Sequence, residues 1–544
     1  MKPRILMVNE SCVLNTGYSI YGKEVLSRLY ESGKYEIAEF AMYIKKDDPR
    51  IQNIPWKVYT NLPESEQEKQ FYEKSIVNEF GAYKFEQVCL DFKPHIVFDI
   101  RDVWMFTFET LSPLRKYYNL AVMPTVDSEP QMEQWLETYE NADAIFTYTD
   151  WSAEVLNKQS NGKLKVRNIA PPSVNKEMFP ASYEDKQKIK ASLGLSNKNI
   201  IGTVMRNQKR KLFPDLFKAF KEFIEENEDK NTYLHCHTSF PDLGWDIPQL
   251  LLKNGISSRV YFTYKCKKCA NVAPMLFSDA IAICDKCKEK ACTLVNVQNG
   301  VDNKTLNLIY NSFDLYIQIS TNEGFGMPLL EAAKCGVPCM ASDYSAMSSI
   351  IRKVDGFPIP NLHMILESES GAYKSIPCTE EIKKYWHYFF YDLDENDRRE
   401  KRRKTVKNTN DNFGSWSDTA NIWMDYFDSV DIKKYEDLWK SKPEIKQSSI
   451  KIPSNCNNSE YVRWLITDVL CDKTKIGSNF EARMLRDLNY GASIGGYGED
   501  SASENSFVNS RRKITEFNRE IAYNNIRSYR ENINNWEYKR GLTL

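Results

Sequence analysis

The sequence predicts an α/β protein with two doubly wound domains, each built on a mainly parallel sheet. Apolar runs of strand length alternate with segments of helical periodicity through residues 1–180, and the alternation returns in residues 181–375. A proline-containing link at residues 170–173 separates the two series. Because ligands of such sheets bind beyond the carboxyl ends of the strands, we expect the functional residues in the loops there, at a cleft between the domains.

The first domain opens with an apolar run at residues 4–9 and a polar loop at residues 10–17. The helix that follows has four residues at helical spacing on one face, namely Tyr18, Tyr21, Val25 and Leu29. Further strands are expected at residues 35–43, 95–100, 120–123 and 144–149. Strands that alternate with helices in this way favour a parallel sheet.

The second domain repeats this organisation. A strand at residues 200–205 precedes a helix that begins at Pro214, a residue suited to the first helical turn. Its buried face is predicted to contain Leu216, Phe217, Phe220, Phe223 and Ile224. Strands are expected at residues 232–237, 260–263 and 315–319.

Two further segments complete the predicted organisation. Residues 376–428 are aromatic and helical in pattern, and we expect them to return to the first domain. Residues 429–544 form a mainly helical extension with a flexible Gly/Ser-rich stretch at 491–505 and a basic, aromatic tail at 511–544. The tail has the composition of a nucleic-acid-binding segment, but a solvated helix packed by its apolar face is the interpretation we favour.

Composition excludes several classes of protein. Hydrophobic residues make up 42% and charged residues 27%, which is typical of a globular protein. With 73 Lys+Arg against 74 Asp+Glu, the formal charge of -1 excludes a globally basic nucleic-acid-binding protein. No apolar run approaches the ~18 residues of a membrane span. Residues 1–11 lack a signal-peptide pattern, and 13 mostly scattered cysteines suit a reducing compartment, so we expect a cytoplasmic protein.

The most informative motif spans residues 320–336, STNEGFGMPLLEAAKCG, where a strand ends, a glycine-containing loop follows and a helix begins near Met327. The N–H groups at a helix N-terminus favour an anion. Gly324 and Gly326 let the backbone approach a ligand closely. Glu323 on the loop and Glu331 about one turn into the helix are placed to accept hydrogen bonds from hydroxyls at two separated points of one ligand. A nucleotide sugar has hydroxyls at both ends and a diphosphate between them.

The spacing from Glu323 to Glu331 resembles the hallmark of retaining, GT-B-fold glycosyltransferases of family four, and the resemblance covers roughly residues 1–428. It implies two Rossmann-like domains facing a cleft, and transfer of a hexose from a UDP- or GDP-hexose to an acceptor hydroxyl with retention of configuration. It further implies that Glu323 contacts the sugar and Glu331 the ribose. Phe325, Gly326 and Met327 would hold the sugar and phosphates. An ordinary helix start with two solvated glutamates is the alternative.

A second match to this family follows the first strand of the second domain. Arg206 and Lys211, five residues apart, resemble the cations that neutralise the donor diphosphate. Fixed cations beside a leaving diphosphate stabilise its developing charge. Lys209 and Arg210 compete with Lys211 for this role, and a solvated basic turn is the alternative interpretation.

Residues of weaker signal complete the candidate donor site. Gly17 lies on a strand-to-helix turn where the family has a comparable glycine loop, and a simple tight turn is the alternative. The family often has a histidine on a first-domain strand end, and Asp127 occupies that place here. Arg101 and Asp102 follow the neighbouring predicted strand. Of the two histidines near the end of another strand, His235 and His237, we expect His237 to contact the donor, with a structural histidine as the alternative.

The cysteine cluster predicts a metal site inside the second domain. Fourteen residues separate Cys266-x-x-Cys269 from Cys284-x-x-Cys287, the spacing of a zinc ribbon. Four thiolates close the coordination shell, so the zinc is expected to be structural. Cys292 is an alternative ligand, and redox dithiols or free thiols are the alternative chemistry. We expect the insert, residues 264–292, to shape the donor pocket or the approach of the acceptor.

The acceptor is left open by the sequence. No convincing Asp-x-Asp pair is present, so no catalytic divalent metal is expected. The whole pattern is similar to uncharacterised glycosyltransferases of tailed phages, which implies a modified base in phage DNA or a glycan as the acceptor and the host cytoplasm as the location. The alternative function is a non-catalytic scaffold of the same fold that binds nucleic acid or protein through the ribbon and tail.

Overall fold

The computed structural model describes residues 1–443 except 74, 75, 279, 297, 298, 369 and 442, and beyond them residues 456–469, 476, 477, 481, 482, 484, 485, 488, 519, 522 and 523. These residues divide into two compact units. The first contains residues 1–124, 132–145 and those described from 426 onward, and the second contains 125–131 and 146–425. The flexible stretch predicted at 491–505 and nearly all of the predicted tail at 511–544 lie outside the described residues.

The strands follow one another along both units, and the nine that the sequence predicts have bounds close to the predicted ones. In chain order they are β1 (Arg4–Glu10), β2 (Glu36–Met42), β3 (Lys57–Thr60), β4 (Ile96–Asp99), β5 (Asn119–Val122), β6 (Ala144–Thr147), β7 (Val166–Ile169), β8 (Asn199–Val204), β9 (Thr232–His237), β10 (Val260–Cys266), β11 (Val272–Leu276), β12 (Ala282–Ile283), β13 (Lys290–Leu294), β14 (Leu315–Gln318), β15 (Cys339–Ser342), β16 (Phe357–Ile359), β17 (Asn361–Leu366) and β18 (Tyr373–Pro377).

The helices alternate with these strands. They are α1 (Gly17–Glu31), α2 (Glu66–Tyr72), α3 (Ile76–Glu79), α4 (Phe85–Phe92), α5 (Val103–Leu111), α6 (Glu133–Glu140), α7 (Asp150–Gln159), α8 (Tyr183–Ser192), α9 (Phe213–Glu226), α10 (Ile247–Asn254), α11 (Asn303–Ser312), α12 (Met327–Lys334), α13 (Ser345–Lys353), α14 (Thr379–His387), α15 (Glu395–Asn412), α16 (Trp416–Ser429), α17 (Ile432–Lys440) and α18 (Asn458–Trp464). No described helix is long and apolar enough to cross a lipid bilayer.

The first unit is built on a parallel sheet in the order β3-β2-β1-β4-β5-β6. Its strands are apolar almost throughout because both faces are covered. Tyr21, Val25 and Leu29 of α1 are buried, as the helical spacing predicts. The strand order reverses at β1, and β1 and β4 lead into the loops that carry Gly17 and Asp102.

The second unit contains a sheet in the order β12-β13-β10-β9-β8-β14-β15-β16, with β11 paired to β10. From β10 to β16 the pairs are parallel, whereas the pairs of β10 with β11 and β13 are antiparallel. The strand β10 therefore belongs both to the parallel sheet and to the cysteine-bearing insert. Arg206 lies on the loop after β8, and Glu323 lies on the loop after β14. These loops and the one after His237, the last residue of β9, leave the sheet at the carboxyl ends of its parallel strands.

Helix α9 packs its aromatic face against the core of the second unit. Leu216, Phe217, Phe220 and Phe223 are fully buried, and the Trp386 ring meets Phe220 and Phe223 edge to face. At about 25 cal/mol per Å² of apolar surface, burying one such side chain contributes roughly 1.5–3 kcal/mol. The predicted α/β class with parallel sheets is confirmed.

Candidate functional site

Glu323 lies on the loop between β14 and α12 and is held from three directions. One carboxylate oxygen, Oε1, accepts hydrogen bonds from Lys211 Nζ and, at 2.7 Å, from the Ser320 hydroxyl. The other, Oε2, lies 2.6 Å from Arg210 NH1. The backbone N–H of Glu323 donates to Ser345 Oγ at 2.9 Å. With only 6% of its side chain exposed, the carboxylate is oriented by these contacts rather than by solvent.

Lys211 reaches Glu323 from the loop after β8. The backbone of Lys211 forms an isolated β-bridge with Ser320, and its carbonyl accepts the indole N–H of Trp245 at 2.7 Å. Burial, followed by the neighbouring guanidinium of Arg210, lowers the pKa of Lys211. The direct pair with the Glu323 carboxylate opposes that change, because an opposite charge favours the ammonium form.

Arg210 and Lys209 were the alternatives to Lys211. The Lys211 side chain is 9% exposed, whereas that of Arg210 is 39% exposed and also donates to the Asn322 carbonyl at 3.0 Å. The structure therefore brings both Lys211 and Arg210 to Glu323, with Lys211 as the buried cation.

Arg206 lies on the same loop but has its own partner. Its guanidinium forms a forked pair with Asp242, with N–O distances of 2.9–3.2 Å. Although burial opposes the change, hydrogen bonds from Arg206 and Ser239 lower the pKa of Asp242 to about 2. The Arg206 side chain remains 47% exposed, so it is accessible to a ligand as well.

The start of α12 requires a backbone that only glycine adopts readily. Gly326 has φ of 89°, in the left-handed region, and Met327 and Pro328 open the helix. A Cβ atom on Gly326 would lie 2.7 Å from Gln318 Nε2, a buried donor with no partner among the described residues. Phe325 is buried beside this turn. Pro328 has no N–H and the Leu329 N–H donates to the Gly326 carbonyl at 2.9 Å, so Met327 supplies the N–H of this first turn that is open to an anion.

Replacing Gly326 with alanine is expected to destabilise the protein by more than the roughly 1–2 kcal/mol cost of a left-handed alanine, because its Cβ also meets Gln318. Gly162→Ala is the matched control, since Gly162 has φ of 77° and space around the added methyl group. Urea unfolding measures both. Equal losses in the two variants would show that the Gln318 contact has no energetic effect.

Glu331 lies in α12, beyond its first turn. Its Oε2 accepts the Tyr310 hydroxyl hydrogen bond at 2.7 Å. Burial raises the pKa of Glu331 although the Tyr310 hydrogen bond opposes the change. The second carboxylate of the motif is thus oriented by a hydroxyl donor, as the first is by Ser320.

Asp127 lies on the segment 125–131, which packs against the Glu323 loop within the second unit. Asn322 Nδ2 donates to Asp127 Oδ2, and the Ser128 hydroxyl donates to Oδ1 at 2.9 Å. Gly324 is needed for this approach, because a Cβ there would lie 2.2 Å from Thr125 Cγ2. Asp127 therefore contacts Asn322, the residue next to Glu323.

His235 and His237 lie at the end of β9, next to β10. The Thr263 hydroxyl oxygen is 3.0 Å from His235 Nε2 and 3.1 Å from His237 Nδ1. Burial lowers the pKa of His235 to about 3 and that of His237 to about 4, so both imidazoles are neutral near pH 7. Thr238, the next residue, has a buried hydroxyl without a partner among the described residues.

The remaining candidates lie in the first unit. Gly17 is the first residue of α1, which is capped by the Thr16 hydroxyl, and a Cβ on Gly17 would meet no atom within 4 Å. Asp102 accepts the Tyr18 hydroxyl at 3.0 Å. Arg101 is fully buried in a pair with Asp99, which places it in the core of the unit.

The cysteine insert contains two turns of the same construction. The sulfur atoms of Cys266, Cys269, Cys284 and Cys287 all lie within 4.8 Å of one another, and two pairs are 3.6 Å apart. A tetrahedron with Zn–S bonds of about 2.3 Å has S–S edges of ~3.8 Å, so this donor set fits zinc. Cys292 is not part of the set.

The backbone repeats in the two turns. In the first turn the Ala270 N–H donates to the Cys266 carbonyl at 3.0 Å. In the second turn the Lys288 N–H donates to the Cys284 carbonyl at 2.8 Å, so each bond joins the first cysteine to the residue four positions later. Ala270 and Lys288 also share a positive φ, 56° and 59°. Hydrogen bonds from the Cys287 and Lys286 backbone outweigh burial and lower the pKa of Cys284 to about 6, which favours a thiolate.

Sequence reasoning missed the residues that orient the predicted ones. Ser320, Asn322, Ser345, Tyr310, Asp242 and Thr263 are ordinary polar residues on different elements. Ser320 and Asn322 were visible within the motif. The other four had no sequence signal, because their contacts span 20 or more positions.

One segment of the chain matches the model of a known protein family. Residues 287–361, which include Glu323, Gly326 and Glu331, match the family model described as glycosyl transferases group 1. A search of curated proteins found no match.

Solved structures share the fold at low sequence identity. Sucrose-phosphate synthase from Thermosynechococcus elongatus has a TM-score of 0.55 and 16% identity, over 79% of this chain and 100% of that one. HepE from Anabaena, in complex with UDP and glucose, has a TM-score of 0.55 and 13% identity over the same shares. A structure described as trehalose-6-phosphate from E. coli, bound with UDP-2-fluoro glucose, has a TM-score of 0.53 and 12% identity, over 79% and 99%.

The family match lies on the loop and helix that hold the two glutamates, and the structural neighbours extend the likeness across both sheets. The neighbours thus show that the chain has the GT-B fold, and residues 287–361 add a local likeness to the glycosyl transferases group 1 family.

Proposed function

We propose that the protein transfers a hexose from a UDP-hexose, or alternatively a GDP-hexose, to an acceptor hydroxyl with retention of configuration. The observation that carries this proposal is the buried Glu323 carboxylate and its ion pair with Lys211. Glu323 lies just before α12, inside the segment that matches the family model. A carboxylate beside a fixed cation and free helix N–H groups suits a ligand with sugar hydroxyls next to a diphosphate.

In this reaction the bond between the anomeric carbon and the phosphate oxygen breaks, and the acceptor oxygen forms the new bond on the same face. The acceptor proton passes to the departing phosphate oxygen, so no protein base is required. Lys211 and Arg206 stabilise the charge on that diphosphate, and Phe325, Gly326 and Met327 contribute backbone N–H groups. Such preorganised donors act most strongly where charge develops in the transition state.

The donor is held at both ends. Glu323 orients the sugar, while Glu331, already bonded to Tyr310, accepts a ribose hydroxyl. UDP is the favoured nucleotide because the neighbouring HepE structure contains UDP-glucose and the E. coli structure contains UDP-2-fluoro glucose. His237 completes the proposed donor contacts within the second unit.

Asp127 is proposed to contact substrate in the place where the family often has histidine. Its hydrogen bonds to Asn322 and Ser128 fix both carboxylate oxygens beside the Glu323 loop. A carboxylate in this position accepts a hydrogen bond from a sugar hydroxyl.

We also propose that the four clustered cysteines hold one zinc ion. The fit of the sulfur positions to a tetrahedron and the matching backbone turns that carry the two cysteine pairs support this assignment. Four thiolates leave no open coordination position, so the ion would be structural.

Thermal unfolding with UDP, GDP and ADP tests the donor proposal. A nucleotide that binds only the native state stabilises it by about 2.7 kcal/mol at one hundred times its Kd, so UDP is expected to raise the apparent Tm most. Glu331→Gln should reduce that shift. Because burial raises the pKa of Glu331, the wild-type shift should begin to decline at a higher pH than for an ordinary glutamate as the solution is acidified.

Lys221→Ala, on the exposed face of α9, is the control and should retain the full shift. Hydrolysis of a panel of nucleotide hexoses, followed by mass spectrometry of glycan and modified-DNA acceptors, then identifies the reaction. Absence of both a nucleotide shift and donor hydrolysis would reject the enzyme and favour the non-catalytic scaffold.

A further inference from the structure

One strand, β10, joins the cysteine insert to the parallel sheet of the second unit. β10 pairs in parallel with β9 from Val260 to Phe262, and from there its outer end pairs only with strands of the insert. Its last residue is Cys266, the first ligand of the proposed zinc site. The insert and the parallel sheet of the second unit therefore share this strand.

Thr263 lies at the change from parallel to antiparallel pairing. The residue is fully buried, and its hydroxyl contacts both His235 and His237. A hydroxyl has one proton to donate and lone pairs to accept, so it can donate to one ring and accept from the other. Thr263 thus orients both imidazoles, and its own carbonyl is fixed by the Val295 N–H at 3.1 Å.

The insert fixes β10 beyond Thr263. The Tyr264 hydroxyl donates to the Ser278 carbonyl at 3.0 Å and accepts from the Ser278 N–H at 2.9 Å. Lys265 donates to the Gly300 carbonyl at 2.6 Å, and Cys266 pairs with Cys292.

The insert has little apolar core of its own. Leu276, Ile281 and Ile283 are exposed, and the buried residues Tyr264, Cys266, Cys284 and Cys292 belong to the core of the second unit. Small units of this kind depend on a metal or a disulfide for stability. The cysteine cluster is therefore one of the restraints on β10 beyond Thr263, beside the packing of Tyr264 and Phe277 against the core of the second unit.

We propose that the zinc site serves to clamp the end of β10, so that Thr263 holds His237 in the orientation that binds the donor. This inference rests on the zinc ion and the donor site proposed above and assigns the insert a role in the reaction. Thr263 and the four cysteines are positioning residues, because they act on the donor only through His237.

Thr263→Val and Thr263→Ser form the matched test of the hydroxyl. Valine keeps the shape and removes the hydrogen bonds, while serine keeps the hydroxyl. We expect both variants to retain one zinc per chain. Thr263→Val should weaken UDP binding about 5- to 15-fold, the loss typical of one or two hydrogen bonds. Thr263→Ser should bind UDP with an affinity within about 2-fold of that of the wild type. Unchanged UDP affinity in Thr263→Val would overturn the proposal.

Cys266→Ser tests the clamp itself and is expected to lose zinc and to weaken UDP binding at least as much as Thr263→Val. The double variant should bind UDP no more weakly than Cys266→Ser alone, because both changes remove the same restraint. Fully additive losses, or wild-type UDP affinity in zinc-free protein whose secondary structure is intact by circular dichroism, would overturn it.

A nucleotide-independent measurement separates this inference from the donor assignment. The imidazole NMR signals of His235 and His237, assigned by single replacement, should move in Thr263→Val and again on removal of zinc from the wild type. If these signals move but no nucleotide binds, the clamp stands and the proposed donor site is wrong. If they do not move when zinc is removed, the clamp is wrong whatever nucleotide binds.

Discussion

Glu323→Gln is expected to lower sugar transfer by about 10²- to 10³-fold, the effect of removing one preorganised electrostatic contact. The carboxylate would be lost from a site where Lys211, Arg210 and Ser320 all converge on it. Lys211→Met should cause a loss of similar size, because the buried cation beside the leaving diphosphate disappears. The initial rate of transfer from the donor identified by hydrolysis measures both.

The stability of these variants gives a second, independent result. Removing one partner of a buried ion pair costs about 3–5 kcal/mol, whereas replacing both by uncharged residues of similar size is often neutral. The double variant Glu323→Gln/Lys211→Met is therefore expected to be more stable in urea than either single variant and still inactive. Inactivity in a stable double variant separates a role in the reaction from a role in folding.

Arg210→Gln is the matched comparison on the same loop. Its guanidinium also reaches Glu323 but is far more exposed, so we expect a smaller loss of transfer than for Lys211→Met. A larger loss would assign the diphosphate role to Arg210 instead. Near-normal transfer in both Glu323→Gln and Lys211→Met would refute the proposed site.

Metal analysis is expected to find one zinc ion per chain, and Cys284→Ser is expected to abolish it. Structural zinc sites with thiolate ligands contribute about 10–16 kcal/mol of apparent binding free energy in small peptides, so loss of the ion should unfold the insert. Atomic emission measures the zinc content. Hydrogen exchange across residues 264–295 should then show loss of protection, with the sheet from β8 to β15 still protected.

Two other cysteines serve as controls. Cys378 lies outside the cluster at the N-cap of α14, so Cys378→Ser should retain the ion and normal stability. Cys292→Ser tests the alternative ligand, and retention of zinc in this variant would confirm the set of four. Zinc in Cys284→Ser equal to wild type, or wild type without zinc after expression in zinc-supplemented medium, would contradict the assignment.

The regular elements and the two local motifs were predictable because their signals are short in range. Apolar runs mark the buried parallel strands, and the helical spacing of residues such as Val25 and Leu29 marks the inner face of α1. The loop at Gly326 was predictable for a similar reason, since a glycine at a strand-to-helix turn indicates a special backbone conformation, and the structure shows φ of 89° there. The two cysteine pairs were recognised from spacing alone.

The partners of these residues were not predictable in the same way. Arg206 was expected to face the donor diphosphate, yet its partner Asp242 lies 36 positions further along the chain. The link from Asp127 to Asn322 spans 195 positions, and the Thr263 hydroxyl joins two histidines through neighbouring strands. Such contacts are set by which strands become neighbours, and strand order depends on packing over the whole sheet.

The sequence by itself determined the α/β class, the glutamate pair and its glycine turn, and the four cysteines, because spacing along a strand, a turn or a helix carries that information. Tertiary structure decided which cation is buried against Glu323, which hydroxyls orient Glu331 and His237, and how β10 joins the cysteine insert to the sheet. Those arrangements depend on burial and on residues far apart in the chain, which exist only once the sheets have formed.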